Sequence, residues 1–462
     1  MKQLWKINEL PILASADVVV AGGGTAGAVA AISAAREGAE TLVVERYGCL
    51  GGSAVMAQVV PMMSLKIPSH PEPSSISLLI KQQMTQGGWA ATDSSGADGW
   101  FNPVMLPFVL DRLLSAYGGK ALFDATIVDV LQDQQVVAGL VVQTRSGLGL
   151  IKAGCVIDAT GDALVAEMAG VPCQIGREDN GRNQNVSLRF TLGGIDLLRL
   201  QSFLHGLGQT SGLEYPLVEM ASIWDRPDLY PLESVFRRGL ADGLITYDDG
   251  RYFQAFTIPG MPGVMAFNCP EIPGMQEALS ATAVSQAYIT GRQMTGRLAG
   301  FLRQMVPGFE NSWILSSAPM IGIRESRRIE GVYLLSADDY LVRRKFSDGI
   351  AQTAYPIDIH GDSGLHYEDQ AIPPGDYFEI PFRCLVPYKA DRLLVAGRCI
   401  SATFSAQSAI RIQPICRATG EAAGIAAAWL TCGQTAAEDL RLLDGSAVRR
   451  RMIEWGGVFA GS

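Results

Sequence analysis

Continuous apolar runs closed by glycine or a turn occur at Asp17–Val20, Cys155–Ala159 and Leu393–Ala396. That pattern predicts strands buried on both faces of a parallel sheet. After the first run comes "AGGGTAGAVAA", where small residues predict a helix from about Ala26 to Glu37, stopping at Gly38. Thr41–Val44 predicts the next strand. From Ala121 to Val156 strand-like stretches alternate with polar turns, the signature of a small β-meander. "NVSLRFTLGG" and "YFQAFTIPG" predict further strands, and Glu277–Met305 one long helix. "PSHPEPSSISL" and "GGWAATDSSGADGWFNP" are rich in Pro, Ser and Gly and predict surface loops or a mobile cap. There is no internal repeat and no heptad pattern.

The first strand and helix carry chemistry. Gly22-Gly23-Gly24-Thr25-Ala26-Gly27 fits GxGxxG, and Thr41–Val44 ends at Glu45. Gly22 permits the tight turn, Gly24 lets a diphosphate approach the backbone, and Gly27 lets the helix pack on the strand. A carboxylate at Glu45 suits the two hydroxyls of an adenosine ribose and would repel the extra phosphate of NADP. The fingerprint alone is weak. Strand, loop, helix, strand and acid in order make it a dinucleotide site.

Composition changes this picture little. In 462 residues, 48% are hydrophobic and 18% charged, which fits a chain with a large core. The net charge of −9, without a basic run, argues against nucleic acid. Met1–Leu13 lacks the apolar run of a signal peptide, and Val18–Ala35 reads as a soluble βα unit. Eight scattered cysteines contain no CxxC pair, which predicts reduced thiols in a cytoplasmic protein with neither a redox disulfide nor an iron–sulfur cluster.

Which dinucleotide is bound turns on later residues. Arg46-Tyr47-Gly48-Cys49-Leu50-Gly51-Gly52-Ser53 provides a second glycine-rich loop directly after the acid. "VIDATGDALVA" brings Ala159-Thr160-Gly161-Asp162, and "RLLVAGRCISAT" brings Gly397 and Arg398. A small-residue helix is expected to open near Thr419-Gly420-Glu421, its free N–H groups suiting the pyrimidine edge of a flavin. With "ERYGCLGG", "GIRESRRIEGVYLLSADDYL", "YPIDIH" and "IRIQPICRATGEAAG", these stretches resemble the FAD-dependent oxidoreductases of the glutathione-reductase-like superfamily, related to the fumarate reductase, thiazole-synthase and heterodisulfide-reductase flavoproteins.

The resemblance implies noncovalent FAD. It places Gly22, Gly24, Thr25, Ala26, Gly27, Glu45 and Arg46 on the ADP half and Gly51, Gly52 and Ser53 near the diphosphate. Ala159, Thr160, Gly161 and Asp162 fall beside that loop, and Gly397, Arg398 and Gly420 fall around the flavin. The implied fold is α/β, with a discontinuous Rossmann-like FAD-binding domain (1–60, 103–175 and 383–462) that includes the meander. A cap occupies 61–102 and an inserted α+β substrate domain 176–382. Two positions depart from the family. Arg398 stands where many relatives have an acid, and Phe404 where a histidine often follows "SAT".

Candidate catalytic residues lie in two stretches. In "GIRESRRIEG", a strand would put Arg324 and Arg328 on one face and Arg327 on the other, and arginine forks suit a carboxylate. A row of structural ion pairs is the competing account. In "YPIDIHGDSGLH", strand alternation would put Asp358 beside His360, a pair able to move a proton, against the alternative of a structural histidine. A metal site from Asp358, His360, Asp362 and His366 matches no common spacing, so no metal is expected. Tyr355 and Arg411 are expected on the substrate side of the flavin. Cys49 reads as an inert thiol in a packed loop.

The function expected is hydride transfer between a small polar substrate, an organic acid or sugar derivative, and flavin N5. Arg324 and Arg327 would hold the substrate, and Asp358 with His360 would manage the proton. The partners expected are that small molecule and an unidentified electron acceptor, with no nucleic acid and no membrane. The alternatives are a flavin subunit relaying electrons to a partner protein, or a non-redox flavoenzyme.

Overall fold

The structure is a computed structural model describing residues 9–92, 99–275, 277–361 and 372–461. The apolar run closes β1, Ile12–Ala21, whose Val18–Ala21 are fully buried. The alanine-rich segment forms α1, Thr25–Arg36, buried from Ala26 to Ala35. β2, Thr41–Val44, pairs parallel with β1. The long strand Gly147–Asp158 lies on the other side of β1, also parallel.

That long strand does two jobs. Its first half closes the antiparallel meander with Val136–Thr144 and Thr126–Asp133, while its last residues pair parallel with Leu393–Val395. Meander and dinucleotide sheet are therefore one seven-stranded sheet. A second, six-stranded antiparallel sheet contains Phe190–Gly193, Leu217–Ile223, Tyr252–Ile258, Met261–Phe267 and Trp313–Ser317. The helix Ala281–Met305 flanks it, and the two share a core of aromatic and aliphatic side chains. The α/β class with a Rossmann-like sheet is as expected.

Three local expectations fail. Pro71–Ser77 is buried rather than loop-like, because Ser74 caps α2, Ser75–Gln86, and α2 joins the core of β1 and α1 through Ile76, Ile80 and Met84. Residues from Ile329 to Phe382, expected in the substrate domain, bury Tyr340, Ile350, Phe378 and Ile380 in that same core. Finally, Gly420 opens no helix: it lies in the middle of Gln413–Thr431. A Cβ on it would come 2.2 Å from the Ala26 carbonyl oxygen, so this glycine lets the Gln413–Thr431 helix lie against α1.

Candidate active site

The β1–α1 turn is built tightly. Gly22 has φ +90°, and a Cβ on Gly27 would sit 1.8 Å from the Gly22 carbonyl oxygen. Neither position tolerates a side chain. Gly24 differs: a Cβ there would meet only Gly52 Cα at 3.8 Å and the Ala159 oxygen at 4.0 Å. A side chain would occupy the cleft between the two glycine loops. Gly51 donates to the Gly23 carbonyl (2.8 Å), which holds those loops together, and Ser53 lies in the one-turn helix Gly52–Ala54.

Glu45 is buried and accepts from the backbone N–H of Gly23 (2.7 Å) and of Tyr47 (2.9 Å). α1 begins with no side-chain cap on Gly24, and the Thr25 hydroxyl is buried without a partner. Free N–H groups, an unpaired hydroxyl and an open glycine cleft fit a dinucleotide diphosphate.

The neighbouring loop is locked rather than open. Thr160 donates to the buried Asp158 carboxylate through its N–H (3.0 Å) and hydroxyl (2.7 Å). Asp162 accepts from Arg398 (2.8 Å) and Ser326 (2.6 Å). Burial raises the Asp162 carboxyl, but Arg398 and Ser326 outweigh that and hold it below the ordinary range. Arg398 also donates to the carbonyls of Gly161 (2.7 Å) and Ile323. Its fork is thus spent on protein groups, tying the 159–162 loop to the residue before Arg324. Gly397 (φ +91°) packs beside Ala26, and Arg46 is exposed, reaching Met320 and the ring of Tyr47. Cys49 faces Met56, and burial, reinforced by Glu45 and Asp111, raises its thiol.

The candidate catalytic residues converge beside the start of the Gln413–Thr431 helix. Arg411 donates to the Asp358 carboxylate (2.8 Å) and carbonyl (3.1 Å), and the Tyr355 hydroxyl donates to the same carboxylate at 3.5 Å. His360 Nε2 lies 3.3 Å from Asp358 Oδ1, and Nδ1 lies 2.7 Å from Glu271 Oε2. Arg324 Nη2 stands 3.5 Å from that Glu271 oxygen, and its Nη1 donates to the Asn185 carbonyl (2.6 Å).

Asp358 and His360 thus meet as expected but not by strand alternation, since residues 354–360 form no strand. His360 is held instead by backbone bonds: its N–H donates to Gln184 Oε1 (3.2 Å) and its carbonyl accepts from Asn185 (3.0 Å). Asp362 and His366 lie outside the described residues. No metal-holding group of His, Cys, Asp and Glu occurs among the described residues.

The arginine row divides. The strand starts only at Arg327, pairing with Cys173–Ile175, so Arg324 and Arg328 do not share a strand face. Arg328 is sealed in an ion pair with Glu325 and donates to the carbonyls of Gly176 and Ala402. Arg327 turns toward the Asp162 carbonyl (3.4 Å) and Glu167 (4.0 Å), away from the His360 cluster. Only Arg324 joins the site. The structural-ion-pair account holds for the other two.

Glu271, Asn185, Arg189, Tyr252 and Asn268 complete the cluster and were not singled out from sequence. For Arg189 a signal existed, a lone cation in the apolar run "VSLRFTL". Glu271 carried none. Burial raises Glu271, but the His360 hydrogen bond and Arg324 outweigh it and bring the carboxyl down to about 2. Asp358 is also raised by burial, yet His360, Arg411 and Arg324 hold it far below the carboxylate range. Both carboxylates are ionised at neutral pH.

A family model described as FAD dependent oxidoreductase matches residues 17–452. The chain belongs to the FAD-dependent oxidoreductase family. Its cofactor is FAD, which the Gly24 cleft and the unpaired Thr25 hydroxyl can accommodate.

Two curated relatives of this FAD-dependent oxidoreductase share a short segment with it. Dihydrolipoyl dehydrogenase of Trypanosoma brucei brucei is 45% identical over 60 residues, 13% of this chain and 12% of that protein. Dihydrolipoamide dehydrogenase of Chaetomium thermophilum is 44% identical over 57 residues, 12% and 11% of the two chains. The matches span little more than a tenth of either relative. The fold is similar to that of p-nitrophenol 4-monooxygenase from Pseudomonas putida DLL-E4, with a TM-score of 0.51 and 12% identity over 96% of this chain and 87% of that one. Among the described residues no helix is long and apolar enough to cross a membrane.

Proposed function

We propose that this oxidoreductase moves a hydride between a small polar substrate, an organic acid or sugar derivative, and its flavin, with an external electron acceptor completing the cycle. Bound FAD supplies the hydride-accepting centre. The observation that carries the proposal is the continuous chain Arg411–Asp358–His360–Glu271–Arg324, two residues before the uncapped start of Gln413–Thr431.

His360 has a carboxylate oxygen against each ring nitrogen, so the imidazole can accept a proton on one side and release one on the other. Asp358, fixed by Arg411 and Tyr355, sets the ring's orientation from one side, and Glu271, fixed by Asn185 (2.9 Å), sets it from the other. Arg324, buried and cationic, polarises or anchors the substrate. Arg327 has no part in this. The eight free cysteines are in line with a reducing compartment such as the cytoplasm.

The test is anaerobic titration of the purified flavoprotein with hydroxy acids, amines, alcohols and sugars while the flavin band is followed. Bleaching by one compound class, lost in His360→Gln, supports the proposal. A flavin that only dithionite bleaches refutes it.

A further inference from the structure

Arg189 is the one cation of the cluster without a carboxylate partner among the described residues. Its side chain is about nine-tenths buried. Nε donates to Asn268 Oδ1 (2.6 Å), while neither Nη group has a partner among the described residues. The residue keeps 9% of its surface exposed.

The strands place this fork in the site. Val186–Ser187 pairs with Glu271–Ile272, and Ser187 also bridges to Gly322, against which Arg189 Nη1 packs. Arg324 follows two residues later. Asn268 in turn donates to the Tyr252 hydroxyl (3.2 Å), and the Tyr252 ring stands edge-on to His360 at 5.9 Å. Arg189, Arg324 and Arg411 meet only two carboxylates here, Glu271 and Asp358, which leaves one guanidinium charge uncompensated. Burial and the nearby Arg324 and Arg411 lower the guanidinium to about 9, so it remains cationic at neutral pH and costly to leave unpaired.

From this we infer that Arg189 is the specificity-determining residue for a substrate carboxylate, which its two free Nη groups bind side by side. The substrate is then an organic acid rather than a neutral sugar derivative. Two parallel N–H···O bonds satisfy the fork and neutralise the site, whereas a neutral amide of the same shape does neither. The inference rests on the proposed substrate site but does not require that hydride transfer occur there.

The experiment uses the oxidised holoenzyme at fixed ionic strength and reads the perturbation of the flavin absorption bands. The probes are lactate, glycolate and malonate against lactamide and glycolamide. The acids are expected to give saturable difference spectra and to bind about tenfold or more tightly than the amides. Arg189→Gln, with flavin content and Tm retained, is expected to lose that preference. Saturation by none of the acids, or equal binding of acids and amides, overturns the inference. So does acid binding unchanged in Arg189→Gln. If that variant does not fold, the acid–amide comparison on the native protein decides alone. Arg189-dependent acid binding without bleaching upholds the anion site and counts against hydride transfer. Bleaching by a neutral alcohol or sugar without acid binding does the reverse.

Discussion

Replacing Glu271 by Gln removes one charge from the centre of the cluster while keeping its shape. In the folded protein that carboxyl lies near pH 2, against 4.5 for an ordinary glutamate, because His360 and Arg324 outweigh the cost of burial. A depression of that size corresponds to about 3 kcal/mol of folded-state preference for the ionised form. The group is lowered on folding, so its stabilisation is complete above pH 4.5 and disappears as the pH falls toward 2. By pH 3 about 2 kcal/mol of it is lost.

The assay is denaturant unfolding of native protein and Glu271→Gln at pH 7, 5 and 3, with flavin content checked at each pH. The native protein is expected to exceed the variant in stability at pH 7, and the gap should close by about 2 kcal/mol at pH 3. The variant also leaves Arg324 short of its counter-charge, so its flavin should bleach more slowly with substrate at pH 7. Curves that stay parallel from pH 7 to pH 3 would refute the coupling of Glu271 to His360 and Arg324.

Three further outcomes follow from the packing. Gly27→Ala drives a methyl into the Gly22 carbonyl at 1.8 Å, so FAD affinity should fall by about tenfold or more, read as flavin-to-protein absorbance after dialysis. Glu421→Gln replaces a buried carboxylate that accepts from Ser74 Oγ (2.6 Å), Ser75 Oγ (2.8 Å), Ser75 N–H (3.2 Å) and Ile76 N–H (3.0 Å). An amide nitrogen facing those donors should cost about 2 kcal/mol in denaturant unfolding, with unchanged stability counting against α2 as part of the core. Asp162→Ala leaves Arg398 unpaired beside the 159–162 loop and should cost about 2 kcal/mol. It should also weaken FAD retention, and a variant matching the native protein in both would show that the Asp162–Arg398 pair is incidental.

Local sequence determined the cofactor half. Apolar runs, the Gly22–Gly27 turn and the acid at Glu45 are dictated by backbone sterics and short-range spacing, so strand, turn and helix could be placed without knowing what packs on them. The tertiary structure decided what lies further apart. Gly420 reads as a helix opening in sequence and serves as a close-packing point only because α1 lies against it. "PEPSS" reads as loop and is buried because Glu421, far along the chain, accepts its donors. In the candidate site, Asp358 and His360 were legible as neighbours. By contrast, Glu271 and Arg189 enter through antiparallel pairings, and Arg327 and Arg328 leave by pairing elsewhere. Charges act through space and not along the chain, so which arginines face the imidazole was settled only when distant strands came together.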